Sequence, residues 1–342
     1  MNNFFFNSLG KNYFLFLIIF SSYTLPAFSE SGVSVFMYHR FGEDKYPSTN
    51  VSEEQFFSHI DYILSNEIKV IKLEKLIEDL DRNKKFNDKT VAFSVDDAYS
   101  SFYKIAWPIF RDREIPVTLF VSTEIIDDRT SGYMTWEEIK TFVDEGGSIG
   151  QHTSSHLHMP LNSISAIKED ILNSHKSWIK NIGYIPKLFA YPYGEYDNKT
   201  IEIVKGSGFE AAFGQHSGVA HLSAGIFELP RFAMNENYGD LERLKLATNA
   251  LPIIIKDISP ENNFLKKNPP DFGFTLSSEI KPMKAVRCFA SNGIVTNTKR
   301  IGKFRIEVRL EEKFPNIRGR INCTMAANDG RWRWFGKQFV TN

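Results

Sequence analysis

A chain of 342 residues can hold one large domain, or one domain with a small addition. Its hydrophobic (42%) and charged (24%) fractions are ordinary for a globular protein. The 41 basic and 41 acidic side chains cancel, which argues against nucleic acid or an anionic membrane surface as a partner.

The first 29 residues differ from the rest of the chain. Lys11 precedes an apolar run, Tyr13–Phe20, and Ala27-Phe28-Ser29 gives the small-x-small pattern of a cleavage site. An uncleaved membrane anchor is the alternative, but it needs about 20 apolar residues. We therefore predict a signal peptide over 1–29, an exported protein (periplasmic or extracellular), and no stable membrane span after cleavage.

Residues 30–260 alternate strand patterns with helical ones. Two capping boxes, Ser52–Gln55 and Thr135–Glu138, mark helix starts. The predicted strands are Val33–Tyr38, Ile68–Ile71, Thr90–Val95, Pro116–Val121, Ser148–Gln151, Lys187–Tyr191 and Gly208–Phe213. Further helices are predicted over Leu73–Leu80, about Ser100–Arg111, about Ile164–Ile182 and Asp197–Val204. This rhythm indicates an α/β fold with a parallel sheet, open or closed into a barrel, whose ligands bind at the carboxyl ends of the strands.

The character of the sequence changes after about residue 251. Residues 261–270 read as a linker, and 271–342 carry short alternating segments separated by turn signals, which predict a small all-β domain. Cys288 and Cys323 are the only cysteines, and in an exported chain such a pair favours a disulfide. Trp332 and Trp334 share one strand face, where they either stack on sugar rings or pack against the preceding domain.

Polar residues follow three of the predicted strands. Asp96-Asp97 ends one, His152 and His156 follow another, and Tyr193 follows a third. Two imidazoles and one carboxylate would leave room for water on a catalytic metal ion. His158 is an alternative to His156 as ligand. One aspartate can complete the ligand set and the other can take a proton from water; capping of the next helix explains one of them but not both.

Three motifs carry a family resemblance. Ser94-Val95-Asp96-Asp97-Ala98, Gly150–His156 and Tyr191-Pro192-Tyr193-Gly194 resemble, in order, three motifs of the polysaccharide deacetylases, the NodB-homology or carbohydrate esterase family 4 proteins. The resemblance covers roughly residues 33–255. Phe36–Arg40 and Phe189–Gly194 most resemble the branch that contains poly-N-acetylglucosamine deacetylases.

The resemblance implies a distorted (β/α) barrel and a divalent metal, most often Zn²⁺, held by Asp97, His152 and His156. It also implies that Asp96 is the general base and that the Tyr193 amide is an oxyanion donor. The activity would be N-deacetylation of an N-acetylglucosamine-containing polymer such as poly-N-acetylglucosamine, peptidoglycan or a chitin-like chain, with release of acetate.

Two departures from the family pattern stand out. The third motif's arginine, which orients the base, is Ala190 here, and Arg231 is the candidate replacement. The late Leu-x-His motif that supplies the general acid is missing, which leaves His216 and His221 as late candidates and His39 as a residue that can line the site.

Two other classes of function fit parts of this pattern. A sugar-binding protein on a catalytically impaired deacetylase scaffold is the main alternative, because the acid histidine is missing. A non-haem iron oxygenase shares the two-His, one-carboxylate ligand set, but that class usually has a jelly-roll with His-x-Asp spacing, and none of the clustered histidines His152, His156 and His158 has an aspartate two residues later.

Overall fold

The computed structural model describes residues 1, 32–221, 223–277, 280 and 284–341. The predicted signal peptide lies outside the described residues, apart from Met1, and stays a prediction. Among the described residues, no helix has the length and apolar character needed to cross a membrane.

Among the described residues, eleven strands precede the C-terminal sheets or join them to the barrel. They are β1 (Val33–Tyr38), β2 (Arg40–Phe41), β3 (Asn50–Val51), β4 (Lys69–Val70), β5 (Thr90–Asp96), β6 (Val117–Val121), β7 (Ser148–Gln151), β8 (Leu188–Ala190), β9 (Ala211–Phe213), β10 (Phe232–Ala233) and β11 (Leu251–Pro252). Seven more follow: β12 (Ile255–Ser259), β13 (Phe272–Leu276), β14 (Val286–Ala290), β15 (Thr296–Ile301), β16 (Arg305–Leu310), β17 (Arg318–Ala326) and β18 (Trp332–Val340).

The described part of the chain has eight α-helices. They are α1 (Glu53–Ser65), α2 (Leu73–Asp81), α3 (Trp107–Asp112), α4 (Thr123–Asp127), α5 (Trp136–Asp144), α6 (Ile164–Asn181), α7 (Asn198–Gly206) and α8 (Leu241–Thr248). Both predicted capping boxes form, at Ser52 and at Thr135. The helix predicted near 100–111 is a π-helical turn, Phe102–Ala106, that continues into α3.

The large sheet is parallel and curls into an incompletely closed barrel. Its order is β10-β1-β5-β6-β7-β8-β9, with β4 also paired to β5. The strands β1, β5 and β6 are buried along their whole length, as expected when a parallel sheet is covered on both faces. The predicted distorted (β/α) barrel is therefore confirmed.

Two four-stranded sheets form the C-terminal part of the chain and confirm the predicted all-β addition. Their orders are β11-β18-β17-β14 and β12-β13-β16-β15. The predicted disulfide is present, because Cys288 on β14 lies directly opposite Cys323 on β17. Both β11 and β12 come before the linker predicted at 261–270, so strand pairing in these sheets starts earlier than the predicted boundary.

The C-terminal sheets pack directly against the barrel. The ring of Trp334 meets Phe232 of β10 edge-on, with centroids 5.5 Å apart. The backbone of Gly336 comes so close to Ser217 that any Cβ at residue 336 would collide with the Ser217 carbonyl oxygen. This contact supports the packing reading for Trp334 and brings β17 and β18 towards the carboxyl edge of the large sheet.

Candidate metal centre and active site

The predicted site residues converge at the carboxyl edge of the parallel sheet. Asp96 is the last residue of β5, His152 directly follows β7, and Tyr193 lies in a short 3-10 turn after β8. Parallel strands end at one edge, and this topology brings residues far apart in sequence together. A cavity of about 630 Å³ opens there, and Asp97, His156 and Tyr193 line it.

Asp97, His152 and His156 form a cluster with the dimensions of a metal site. The two imidazole Nε2 atoms are 3.2 Å apart, and the Asp97 Oδ1 lies 3.6 Å from His152 Nε2 and 3.4 Å from His156 Nε2. Ligand bonds of about 2.0–2.2 Å in a tetrahedron place ligand atoms about 3.3–3.6 Å apart. These three side chains therefore fit a single ion with a fourth position open, and the geometric grouping includes His156 rather than His158.

Both histidines of the cluster are held as neutral imidazoles. Burial lowers the pKa of His152 and of His156 to about 4. The Nδ1 of His152 lies 2.7 Å from the Ala190 carbonyl oxygen, which as an acceptor fixes the proton on Nδ1 and leaves Nε2 free to bind an ion. A neutral, oriented imidazole is the form that a metal ion requires.

Asp96 is clamped by Arg231 inside the barrel. Both side chains are fully buried, and the guanidinium donates to Oδ1 at 2.7 Å and to Oδ2 at 2.8 Å. Burial alone would raise the pKa of Asp96, but the charges of Arg231, His152 and His39 outweigh it and hold the pKa at about 2. Asp96 is thus an ionised, oriented carboxylate with no role in the metal-ligand cluster, and Arg231 occupies the place expected for the missing arginine.

The backbone around the site adopts a conformation that L-residues avoid. Asp97, His156 and Tyr193 have φ angles of 74°, 55° and 59°. Left-handed backbone costs a non-glycine residue about 1–2 kcal/mol and persists where the surroundings enforce it. Three such residues around one cavity show that the side chains are held in position at the expense of local stability.

Tyr193 connects the barrel to the C-terminal sheets. Its ring stacks on His158 at 4.0 Å between centroids, and Arg318 of β17 lies over it at 5.2 Å. Gln338 of β18 donates a hydrogen bond to the Tyr193 carbonyl oxygen at 2.9 Å. Buried Glu195 accepts from His158 at 2.7 Å and lies 3.4 Å from Arg318. The turn that carries Tyr193 is therefore supported by residues of the C-terminal sheets.

The structure does not bring His216 to the cluster. Its buried ring lines a different cavity, together with Tyr196 and Lys337. Burial lowers the pKa of His216 to about 3, so the ring is a neutral imidazole at neutral pH and not the imidazolium that a general acid would use. The position of this residue therefore does not support its predicted role as the acid. His39 lines the cluster cavity instead, with Nε2 at 3.9 Å from Asp96 Oδ2.

Three residues that support the site are not predicted from the sequence. Glu195, Arg318 and Gln338 lie outside the three motifs, and two of them come from the C-terminal sheets. The sequence does contain a signal for Arg318. Arg318 and Arg320 are two residues apart in a strand pattern, and this spacing places both side chains on the same face of the strand.

Part of the chain matches a known protein family. Residues 83–212 match the family model described as polysaccharide deacetylase. The chain therefore contains a polysaccharide deacetylase domain. It is accordingly a hydrolase of that class.

Relatives of known name are distant in sequence. A poly-beta-1,6-N-acetyl-D-glucosamine N-deacetylase of Staphylococcus aureus is 23% identical over 214 residues, which cover 59% of this chain and 73% of that protein. The Streptococcus pyogenes deacetylase PplD, solved with acetate, superposes with a TM-score of 0.59 at 21% identity, covering 64% of this chain and 98% of PplD. The structure of IcaB from Ammonifex degensii superposes with a TM-score of 0.57 at 23% sequence identity. This superposition covers 65% of this chain and 98% of the IcaB chain. Such superpositions establish the shared fold of the barrel.

Proposed function

We propose that this protein hydrolyses the N-acetyl group of N-acetylglucosamine units in a polysaccharide, releasing acetate and leaving a free amine. The observation that carries the proposal is the pairing of two sites. A three-ligand metal cluster, Asp97 with His152 and His156, lies beside a separate carboxylate, Asp96, that Arg231 clamps. The similarity to the poly-N-acetylglucosamine deacetylase of Staphylococcus aureus supports the choice of sugar.

We propose Zn²⁺ as the resident ion, because two imidazoles and a carboxylate with an open position form a common catalytic zinc set. When bound, such an ion polarises an amide carbonyl and lowers the pKa of a bound water. Asp97, His152 and His156 would hold it. The same ligand set is used by iron oxygenases, so metal identity has to be measured.

The chain's own residues divide the proton transfers. Asp96 takes one proton from the water whose oxygen bonds to the acetamide carbon, and it is ionised for this role because its pKa is about 2. The Tyr193 N–H lies in the first turn of a 3-10 helix, where N–H groups have no intrahelical acceptor, and so suits the developing oxyanion.

The leaving nitrogen needs a proton when the C–N bond breaks. His39 lines the cavity and has its Nε2 at 3.9 Å from Asp96 Oδ2. We propose that His39 donates this proton and is replenished by the one that Asp96 has taken, so that no proton is lost overall. This assignment replaces the role predicted for His216.

The experiment is acetate release from N-acetylglucosamine oligomers together with metal analysis of the purified protein. We expect stoichiometric zinc and acetate release from wild type. Asp96→Asn should retain the metal and lose turnover, and His152→Ala should lose the metal. His39→Asn should retain the metal and lower kcat by about 10²-fold or more.

Other outcomes would assign other functions. Bound zinc without acetate release from any amino-sugar polymer would favour the sugar-binding alternative. Bound iron with oxygen uptake would favour an oxygenase. We also propose that the protein acts outside the cytoplasm, as the predicted signal peptide and the Cys288–Cys323 disulfide suggest.

A further inference from the structure

A second, larger cleft adjoins the cavity of the metal cluster. Its volume is about 1090 Å³, and it runs between the barrel and the C-terminal sheets. Four residues line both spaces: His39, Thr49, Gln215 and Arg318. The two spaces therefore form one continuous groove, whose combined size suits several units of a polymer rather than a single small molecule.

The wall of this cleft is cationic. Arg243 comes from the barrel, and Lys313, Arg318 and Arg320 come from the C-terminal part of the chain. Among the described residues that line the cleft, there is no aspartate or glutamate. The surface charge of the whole chain is balanced, so this segregation is a local feature.

Arg320 is a largely buried guanidinium without an acidic partner of its own. It donates from Nε to the Gln338 side-chain oxygen at 2.8 Å, and it forms no salt bridge with any described residue. Burial and the neighbouring charge of Arg318 lower the pKa of Arg320 to about 10. The nearby carboxylate of Glu195 already contacts Arg318 and His158. A cation kept in such a place is stabilised when an anion enters the cleft.

Arg243 repeats this pattern on the opposite side. Its buried Nε has no hydrogen-bond partner among the described residues, and its guanidinium lies over the rings of Tyr238 (5.2 Å) and Trp334 (5.7 Å). Burial lowers the pKa of Arg243. Two guanidinium groups that form no salt bridge with a described carboxylate thus face one space from two parts of the chain.

Exposed aromatic rings lie beside these cations. Tyr238, on the barrel side, is 55% exposed, and Phe289, on β14, is 57% exposed. Both line the cleft. Sugar rings present apolar faces that pack on such rings, so the cleft combines glycan-binding surfaces with charge.

We propose that this cleft binds a stretch of the polymer that carries an acidic substituent, a carboxylate or a phosphate, next to the N-acetylglucosamine unit that is deacetylated. The inference rests on the proposed function and narrows its substrate class from amino-sugar polymers in general to anionic ones. Arg318 lines both spaces and so places the anion subsite beside the reacting unit.

Binding to metal-free protein tests the proposal without any turnover. Three hexasaccharide probes are compared by calorimetry: hyaluronan oligomer, which alternates N-acetylglucosamine with carboxylate-bearing sugars; an N-acetylglucosamine oligomer joined by phosphodiesters; and neutral chitohexaose. We expect at least one anionic probe to bind tenfold or more tightly than chitohexaose. Its affinity should fall as salt rises from 50 to 300 mM, whereas that of chitohexaose should not.

Variants assign the effect to the cleft. Arg320→Gln should lower the affinity for the preferred anionic probe at least fivefold and change the affinity for chitohexaose by less than twofold. The control is Lys299→Gln, which removes one positive charge from exposed β15, away from the cleft. It should change neither the affinity for the anionic probe nor that for chitohexaose. If Arg320→Gln does not fold, Lys313→Gln, an exposed position on the same wall, serves in its place.

The outcomes separate the two inferences. Preference for the hyaluronan probe identifies a carboxylate, and preference for the phosphodiester probe identifies a phosphate. If wild type binds all three probes with equal affinity, or if Arg320→Gln weakens the binding of all three equally, the proposal of an anion-binding cleft is wrong. This holds even if chitohexaose releases acetate. Selective anion binding without acetate release from any metal-loaded sample overturns the proposed function instead.

Discussion

At the scale of single residues, the site depends on charges that are buried in pairs. Asp96 and Arg231 are both fully buried, and the guanidinium also donates to the Gly214 carbonyl oxygen (2.9 Å) and to Ser94 Oγ (3.2 Å). Removing one member of such a pair strands the other in a medium of low dielectric constant, whereas removing both does not. Arg231 thus holds the Asp96 carboxylate in position, and the stability effects of replacing the two residues should be coupled.

Replacing Arg231 alone should be costly to stability. We expect Arg231→Met to lower the free energy of unfolding by about 3–5 kcal/mol, because the Asp96 carboxylate loses its partner. Arg231→Met with Asp96→Asn should recover a large part of that loss. Urea denaturation of the metal-free protein measures the free energy of unfolding of the single and the double variant.

A control for this prediction lies in the C-terminal sheets. Arg305 pairs with Glu307 in a partly exposed setting, and Arg305→Met should cost about 1 kcal/mol or less. Additive losses in the Asp96 and Arg231 variants would show that the pair is not coupled.

At the scale of elements, the small sheets depend on one covalent link. Cys288 and Cys323 join β14 to β17 across a separation of 35 residues. A loop of that length gives a chain-entropy stabilisation of about 4 kcal/mol. The disulfide also fixes β17, the strand that carries Arg318 and Arg320 into the cleft.

Reduction should therefore loosen the C-terminal sheets. We expect Cys288→Ser with Cys323→Ser to lower the free energy of unfolding by up to about 4 kcal/mol, with loss of amide protection in β14 and β17. Hydrogen exchange followed by mass spectrometry measures this. Unchanged protection in β14 would contradict it, while β5 and β6 serve as an internal reference.

Elements with a clear period were predictable, and those without one were not. The buried runs of β1 and β5 and the capping boxes of α1 and α5 follow from local sequence. The strand β15 has no such period, because nearly all of its side chains are polar and exposed. Its pairing with β16 is made by backbone hydrogen bonds, which side-chain patterns do not report.

At the scale of the whole molecule, buried neutral histidines link stability to pH. His59 bonds to Tyr38 Oη at 2.9 Å and to the Gly239 carbonyl oxygen at 2.7 Å, and burial lowers its pKa to about 4. The unfolded chain binds a proton near pH 6.5, whereas the folded chain does so only near pH 4. The unfolded state thus holds more protons between these values, so stability falls as pH falls through this window.

We expect the free energy of unfolding to decline from pH 7 to pH 4, with His59 contributing a slope of up to about 1.4 kcal/mol per pH unit. His59→Gln should make the decline shallower by that amount, even if it lowers stability at pH 7. Denaturant titrations at pH 7, 6 and 5 measure the slope. An identical slope in the variant would show that His59 is not a linked group.

Long-range assembly marks the limit of what the sequence could predict. The metal cluster was accessible because its residues follow strands whose ends must meet at one edge. The position of His216 could not be predicted, because sequence spacing alone does not show which side of a loop a ring faces. The cleft depends on how β17 and β18 pack against the barrel, and contacts such as Gly336 with Ser217 have no local sequence signal.

The origin of Arg231 bears on how related chains are classified. Its guanidinium reaches the Asp96 carboxylate from beside the edge strand β10, although the family resemblance places that arginine at residue 190. A scan that reads motif letters in order would score Ala190 as a loss and group the chain with inactive relatives. A search that asks which cation contacts the carboxylate finds the pair intact. Linear motifs therefore misclassify any chain in which an arginine from another element makes the same contact.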